Sequence, residues 1–158
     1  KYYLSDDRGL NWLVVQTGYE GSYWSGVKVD EGQSLLLGMS GNITLTTLYG
    51  QNDEIPLDKP TTVACYESGY YQGDCKVFVF DNLNIGTKNS LTNGVVLNDG
   101  RIALSGNGGV IAIVDLIKKN TIETCIRSDR LSNTSIIPLK INLFSSSLER
   151  YSKNLHDK

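Results

Sequence analysis

The sequence predicts an all-β protein, and three observations carry that reading. The apolar stretches are short, rich in β-branched residues and cut by Gly, Asn or Asp, as in VVLNDGRIALSGNGGVIAIV at 95–114. Helical periodicity is missing except in the tail SSSLERYSKNLHDK, where serine N-caps allow a turn or two of helix. One 19-residue pattern also occurs twice: SGVKVDEGQSLLLGMSGNI (25–43) aligns without a gap on NGVVLNDGRIALSGNGGVI (93–111), 68 positions later.

Glycines hold that alignment together. Gly26 meets Gly94, Gly32 meets Gly100, Gly38 meets Gly106 and Gly41 meets Gly109, with Val27 against Val95 and Leu36 against Leu104 between them. Each unit reads as a strand, an acidic-Gly turn (DEG, NDG), a second strand, a Gly-x-x-Gly turn and a third strand. Asn, Asp and Gly accept the positive φ that tight hairpin turns demand. The repeat turns therefore rest on Gly32, Gly38, Gly41, Gly100, Gly106 and Gly109. GNGG at 106–109 has the composition of a phosphate-cradling loop, but it runs into a strand, not into a helix N-terminus, so it reads as a turn.

At the start of the chain, a strand KYYL enters the turn SDDRGLNW. The Asp7 carboxylate is placed to accept backbone N–H bonds, Gly9 takes the awkward φ, and Trp12 opens the next strand with its ring packed back over the turn. Ser5, Asp7, Gly9, Asn11 and Trp12 resemble the Asp box, Ser-x-Asp-x-Gly-x-Thr-Trp, with Asn11 standing in for Thr. The resemblance implies a structural motif joining outer strands of blades in sialidase-like and related β-propellers, with Asp7 and Trp12 holding a turn and a blade-to-blade contact.

The segments LLLGMSGNITLTT and DGRIALSGNGGVIAIVD further resemble the blade motif of the photosystem II assembly and stability factor type of propeller. That resemblance spans about residues 2–15, 24–47 and 90–115. The pattern also departs from the family. TLTTLYGQNDE replaces the Asp box after Ile43, only Asp115 remains of it after Val110, and about 25 extra residues lie between the two units. The resemblance implies a partial β-propeller of four-stranded antiparallel blades. Residues 1–20 would end one blade, 21–65 would form a second, 66–115 a third with an inserted hairpin, and 116–158 a degenerate blade (SIIPLKINLFSSSLERYS) and tail. Blades of roughly 40–45 residues in rings of 4–8 leave this chain short of a closed ring, so a fragment or half-ring is expected. Lys1, in mid-strand where Met would open a chain, fits a fragment.

The inserted hairpin carries Cys65 and Cys75 on either side of Gly69 to Gly73. Two readings stay open: a cross-strand disulfide, which implies an oxidising compartment, or two separate thiols. With a bridge, Cys125 is left out. Tyr66, Tyr70 and Tyr71 read either as an aromatic recognition surface or as strand aromatics packed on a neighbouring blade.

The remaining signals bound the function. A chain of 158 residues can bury one core unaided, and a net charge of −2 lacks the basic excess of a nucleic-acid binder. Lys118–Lys119 reads as a solvated loop. VIAIVDLI (110–117) is far too short to span a bilayer. No metal or cofactor is expected: CxxC is missing, the single histidine (His156) lies in the tail, and DNLNIG (81–86) puts Leu83 and Ile85 where a calcium loop needs oxygens. Asn42-Ile43-Thr44 and Asn133-Thr134-Ser135 are glycosylation sequons in a eukaryotic secretory setting. The family resemblance implies a non-enzymatic docking or assembly platform, periplasmic or secreted, with a protein partner, a second copy or the remainder of the same polypeptide. The alternative is a sialidase-like glycoside hydrolase or glycan-binding propeller. The arginines Arg8, Arg101, Arg127, Arg130 and Arg150 do not cluster by spacing, and Glu67, Asp74 and Asp81 select no carboxylate pair.

Overall fold

The computed structural model describes residues 1–132 except 51, 68, 70, 119 and 127; the expected C-terminal helix, the degenerate last blade and the 133–135 sequon lie outside them. The protein is all-β. Strands β1 (Tyr2–Leu4) and β2 (Leu13–Val15) form a hairpin. Strands β3 (Tyr23–Asp30), β4 (Gln33–Gly38), β5 (Ile43–Tyr49), β6 (Thr61–Cys65) and β7 (Cys75–Leu83) make a five-stranded sheet in the order β3-β4-β5-β7-β6. Strands β8 (Leu91–Val96), β9 (Ile102–Gly106), β10 (Val110–Asp115) and β11 (Asn120–Ile126) make a four-stranded sheet in chain order. All neighbours are antiparallel. Among the described residues, no helix is long and apolar enough to cross a membrane.

The sequence repeat is a structural repeat. Strands β3, β4 and β5 correspond to β8, β9 and β10, and 3-10 turns at Met39–Gly41 and Asn107–Gly109 occupy the same place in each copy. The Met39 amide donates to the Ser22 carbonyl (3.1 Å), and the Asn107 amide donates to the Ser90 carbonyl (2.9 Å). Glycine is required at the acidic-Gly turns, where Gly32 and Gly100 take φ of 74° and 82°. Ser40 adopts φ 56° in the first 3-10 turn, where the second copy has Gly108 at 65°.

One boundary differs from the sequence reading. Strand β7 falls inside residues 66–115, the segment assigned to the later blade, yet it pairs with β5 from Ile43↔Leu83 to Tyr49↔Val77. Both strands of the inserted hairpin therefore belong to the first sheet, which has five strands, not four. The cause is apolar: Phe78 and Phe80 of β7 bury against Leu13 and Val15 of the β1–β2 hairpin, a contact available only beside β5.

Strand alternation explains how the layers stack. Leu35, Leu37 and Ile43 on one face of the five-stranded sheet form a cluster with Ile102, Leu104, Val110, Ala112 and Val114 of the four-stranded sheet. The sheets converge along β3 and β8, where Gly94 stands against Val27 and Leu37; a Cβ there would lie 2.8 Å from Val27 Cγ2 and 3.3 Å from Leu37 Cδ1. On the opposite face of β5, Thr46 meets the Tyr2 hydroxyl (3.0 Å), and Leu48 joins the cluster under the β1–β2 hairpin.

Candidate functional site

The turn between β1 and β2 is tied by its own polar side chains. The Gly9 amide donates to Ser5 Oγ (2.7 Å), Ser5 Oγ donates to Asp7 Oδ1 (2.9 Å), and the Asn11 amide donates to the same oxygen (2.9 Å). Asn11 Nδ2 reaches Asp7 Oδ2 (2.5 Å). These bonds, the Asn11 amide foremost, hold the Asp7 carboxyl below its ordinary pKa. Arg8 and Gly9 take positive φ, 62° and 89°. The Trp12 ring lies over Gly9 and its Nε1 donates to the Gly9 carbonyl (3.0 Å). Trp12 is nevertheless 54% exposed. The contact with the next layer comes from Leu13 and Val15, while the Trp12 ring lies over its own turn.

Facing this turn is the β6–β7 hairpin. Cys65 and Cys75 are directly opposed and joined by a disulfide, with Cα atoms 4.0 Å apart. Cys125 is exposed on β11. Beyond the disulfide, the Tyr66 amide and carbonyl bond to the Asp74 carbonyl (3.0 Å) and the Gly73 amide (3.0 Å), which closes the loop. Gly69, at φ 89°, lies against Asn11; any Cβ there would overlap Asn11 Oδ1, so only glycine allows the loop to approach the turn.

Asp6, the turn residue outside the motif, makes the cross-link. Its carboxylate accepts from the Tyr66 hydroxyl (2.9 Å) and pairs with Lys76. Lys76 chiefly, with Tyr66, pulls the Asp6 carboxyl below its ordinary pKa. Burial, followed by the bond to Asp6, pushes Tyr66 up to about 12. A cleft of about 500 Å³ lies between the Asp6–Asp7 turn and Tyr66, Tyr71, Asp74 and Lys76. Within it Tyr66 is buried (4% exposed), its ring 5.5 Å from that of Tyr71, and Tyr71 is exposed. Of the three tyrosines singled out in the sequence, Tyr70 lies outside the described residues, Tyr66 is spent on the fold and Tyr71 faces outward.

Asp6 and Lys76 escape sequence reasoning, which weighs Asp74 only as a catalytic carboxylate. Asp6 falls between motif positions, and its partners lie 60 and 70 residues away, so no local signal joins them to it. The repeat glycines stand apart from the cleft as turn residues. Asp81 is held by Lys59 (2.6 Å) and Arg101 by Asp99 (2.6 Å), while Arg127 and Arg150 lie outside the described residues. Among the described residues, no group of three His, Cys, Asp or Glu side chains is placed to hold a metal ion. No family model, curated protein or solved structure matches this chain.

Proposed function

We propose that the protein is a non-enzymatic docking scaffold, a segment of a β-propeller that receives a protein partner at the cleft between the β1–β2 turn and the disulfide hairpin. The observation that supports the propeller reading is how the two copies of the repeat meet. The face of the first sheet carrying Leu35 and Leu37 packs on the face of the second carrying Ile102 and Leu104. By the 68-residue correspondence these are opposite faces of the repeat. Such head-to-tail packing can continue around a ring, whereas a two-fold sandwich brings equivalent faces together. The β1–β2 hairpin stacks on the first sheet in the same sense.

The cleft suits recognition. It is held open by a disulfide and by the Asp6–Tyr66 and Asp6–Lys76 ties, and it offers Tyr71, Asp7 and Asp74 to an incoming chain. Its excess of carboxylates over the single ammonium favours a partner segment rich in Lys or Arg. The disulfide supports a periplasmic or secreted setting. The glycosidase alternative gains no support from the displaced carboxyls: Asp6, Asp7, Asp99 and Asp115 all shift down, whereas a general acid must be raised.

An array of basic and acidic peptides, probed with the intact chain, tests the reading. Selective capture of basic peptides, weakened at least tenfold by Tyr71→Ala and Asp74→Asn at unchanged melting temperature, is the expected result. Turnover of fluorogenic glycosides that disappears in a folded Asp7→Asn variant would overturn it.

A further inference from the structure

A sheet ends in strands whose outer amides and carbonyls invite pairing with another chain, and most such edges are blunted by charges or bulges. Three edges here follow that rule. Strand β3 carries Lys28 and Asp30 and two register shifts, β8 has a shift between Leu91 and Asn93, and β11 meets one between Ile113 and Val114 of β10. Strand β6 does not. Its residues, TTVAC, are uncharged and pair with β7 without a shift, from Thr61↔Val79 to Cys65↔Cys75.

The direction of its backbone groups follows from the bonds at its two ends. The Phe80 amide donates to the Pro60 carbonyl (2.9 Å) and the Tyr66 amide to the Asp74 carbonyl (3.0 Å), so the even-numbered positions turn toward β7. Alternation along an antiparallel ladder then aims the amides and carbonyls of Thr61, Val63 and Cys65 away from the sheet. All three residues are exposed, Val63 by 61%, and among the described residues β6 ends the sheet on that side. The disulfide ties one end of the strand to β7, which preorganises the edge.

We infer that β6 receives the partner's segment as an added β-strand. The inference rests on the reading of a basic partner at the cleft and names the backbone that holds it, since the cleft begins where β6 ends, at Tyr66 and Asp74. The fitting segment is extended and β-branched in its middle, where it faces Val63 across the new ladder, with Lys or Arg at its ends. Asp58 stands before β6, and Glu67 and Asp74 beyond it, all exposed, whereas the nearby Lys59 and Lys76 are held by Asp81 and Asp6. A second copy suits this edge poorly. Two β6 strands paired antiparallel bring Asp58 of each toward Glu67 and Asp74 of the other, like charges at both ends.

The probe is a labelled, end-blocked peptide, Lys-Val-Thr-Val-Thr-Val-Lys, titrated against the intact chain by fluorescence anisotropy. Only every second amide of an added strand faces β6. N-methylation at the valines alone or at the threonines alone should therefore weaken binding at least tenfold in one peptide and spare the other. Val63→Pro, which removes an outward amide and no ladder bond, should weaken the parent peptide at least tenfold. The methylation comparison needs no variant, so it decides the matter even where Val63→Pro fails to fold. Equal binding of both methylated peptides, lost in Tyr71→Ala, would overturn strand addition and leave recognition at the cleft standing. A Glu-ended peptide bound as tightly, with the same methylation pattern, would instead sink the basic-partner reading and leave strand addition in place. No binding of either peptide, or a concentration-dependent dimer of the chain that Val63→Pro dissolves, would overturn the inference.

Discussion

The two copies of the repeat share turns, register and strand order, yet they differ in what lies against them. On β3 the side chains directed away from the second sheet are open to solvent, including Trp24, Lys28 and Asp30 together with Gly26. The equivalent side of β8 is pressed on the first sheet, and Gly94, the counterpart of Gly26, sits where Val27 and Leu37 leave no space. The same glycine is therefore a steric necessity in one copy and a bystander in the other. A repeat conserves the backbone, while its neighbours decide which positions are under constraint.

The sharpest way to break this equivalence is at the Gly-x-x-Gly turns. A Cβ at Gly106 would overlap the Ser90 carbonyl oxygen and come within 3.1 Å of Leu91 Cα, both backbone atoms that cannot yield cheaply. Gly106→Ala should cost about 3 kcal/mol or more. Gly38→Ala, whose nearest atoms are the Ser22 carbonyl at 3.1 Å and the rings of Tyr19 and Tyr23, should cost clearly less. Urea unfolding of the two variants orders them, and an equal loss would show that the turns are held alike.

The interface glycines come next. Gly94→Ala overpacks the junction of the sheets and should destabilise by about 1–3 kcal/mol. Gly26→Ala meets only ordinary contacts at 3.8 Å and 3.9 Å, and should be neutral or stabilising by up to about 1 kcal/mol through lower chain entropy. Opposite signs in the unfolding midpoints are the expected signature of opposite-face stacking.

The smallest effect concerns the tie between the β1–β2 turn and the first sheet. Tyr66 has a folded pKa of about 12, above the ordinary tyrosine value near 10. Its contribution is therefore complete below about pH 10 and is lost as pH rises toward 12. Asp6 is shifted down, so its share is present above the ordinary aspartate pKa and is lost as pH falls through the lowered value. Tyr66→Phe should flatten the alkaline limb of stability against pH and leave the acid limb largely in place. An alkaline limb unchanged in that variant would assign it to another group.

Much of the first-order architecture was legible. Periodic β-branched runs and glycines spaced by 68 residues identified the all-β class and the two equivalent units, because turn chemistry is local. Asp115 illustrates the same point: its carboxylate accepts from the amides of Ile117 (3.0 Å) and Lys118 (3.2 Å) at the β10–β11 turn, as Asp7 does at the β1–β2 turn. The partner of β7 was not legible. Its alternation suits either sheet, and the choice was made by Phe78 and Phe80 finding Leu13 and Val15 far back in the chain. The cleft was hidden for a related reason, since Asp6, Tyr66 and Lys76 meet only after the hairpin has joined the first sheet.

That distance has a consequence for the order of synthesis. Leu13 and Val15 leave the ribosome well before the strands that bury them, because Tyr66 and Lys76 follow Asp6 by 60 and 70 residues. At roughly 5–20 residues per second the delay is about 3–14 s. A two-stranded hairpin by itself is marginal in water, so β1 and β2 spend that interval without the strands that cover Leu13 and Val15. Slowing translation near residues 66–76 prolongs this exposure, while the second sheet, whose strands follow one another in chain order, is spared it.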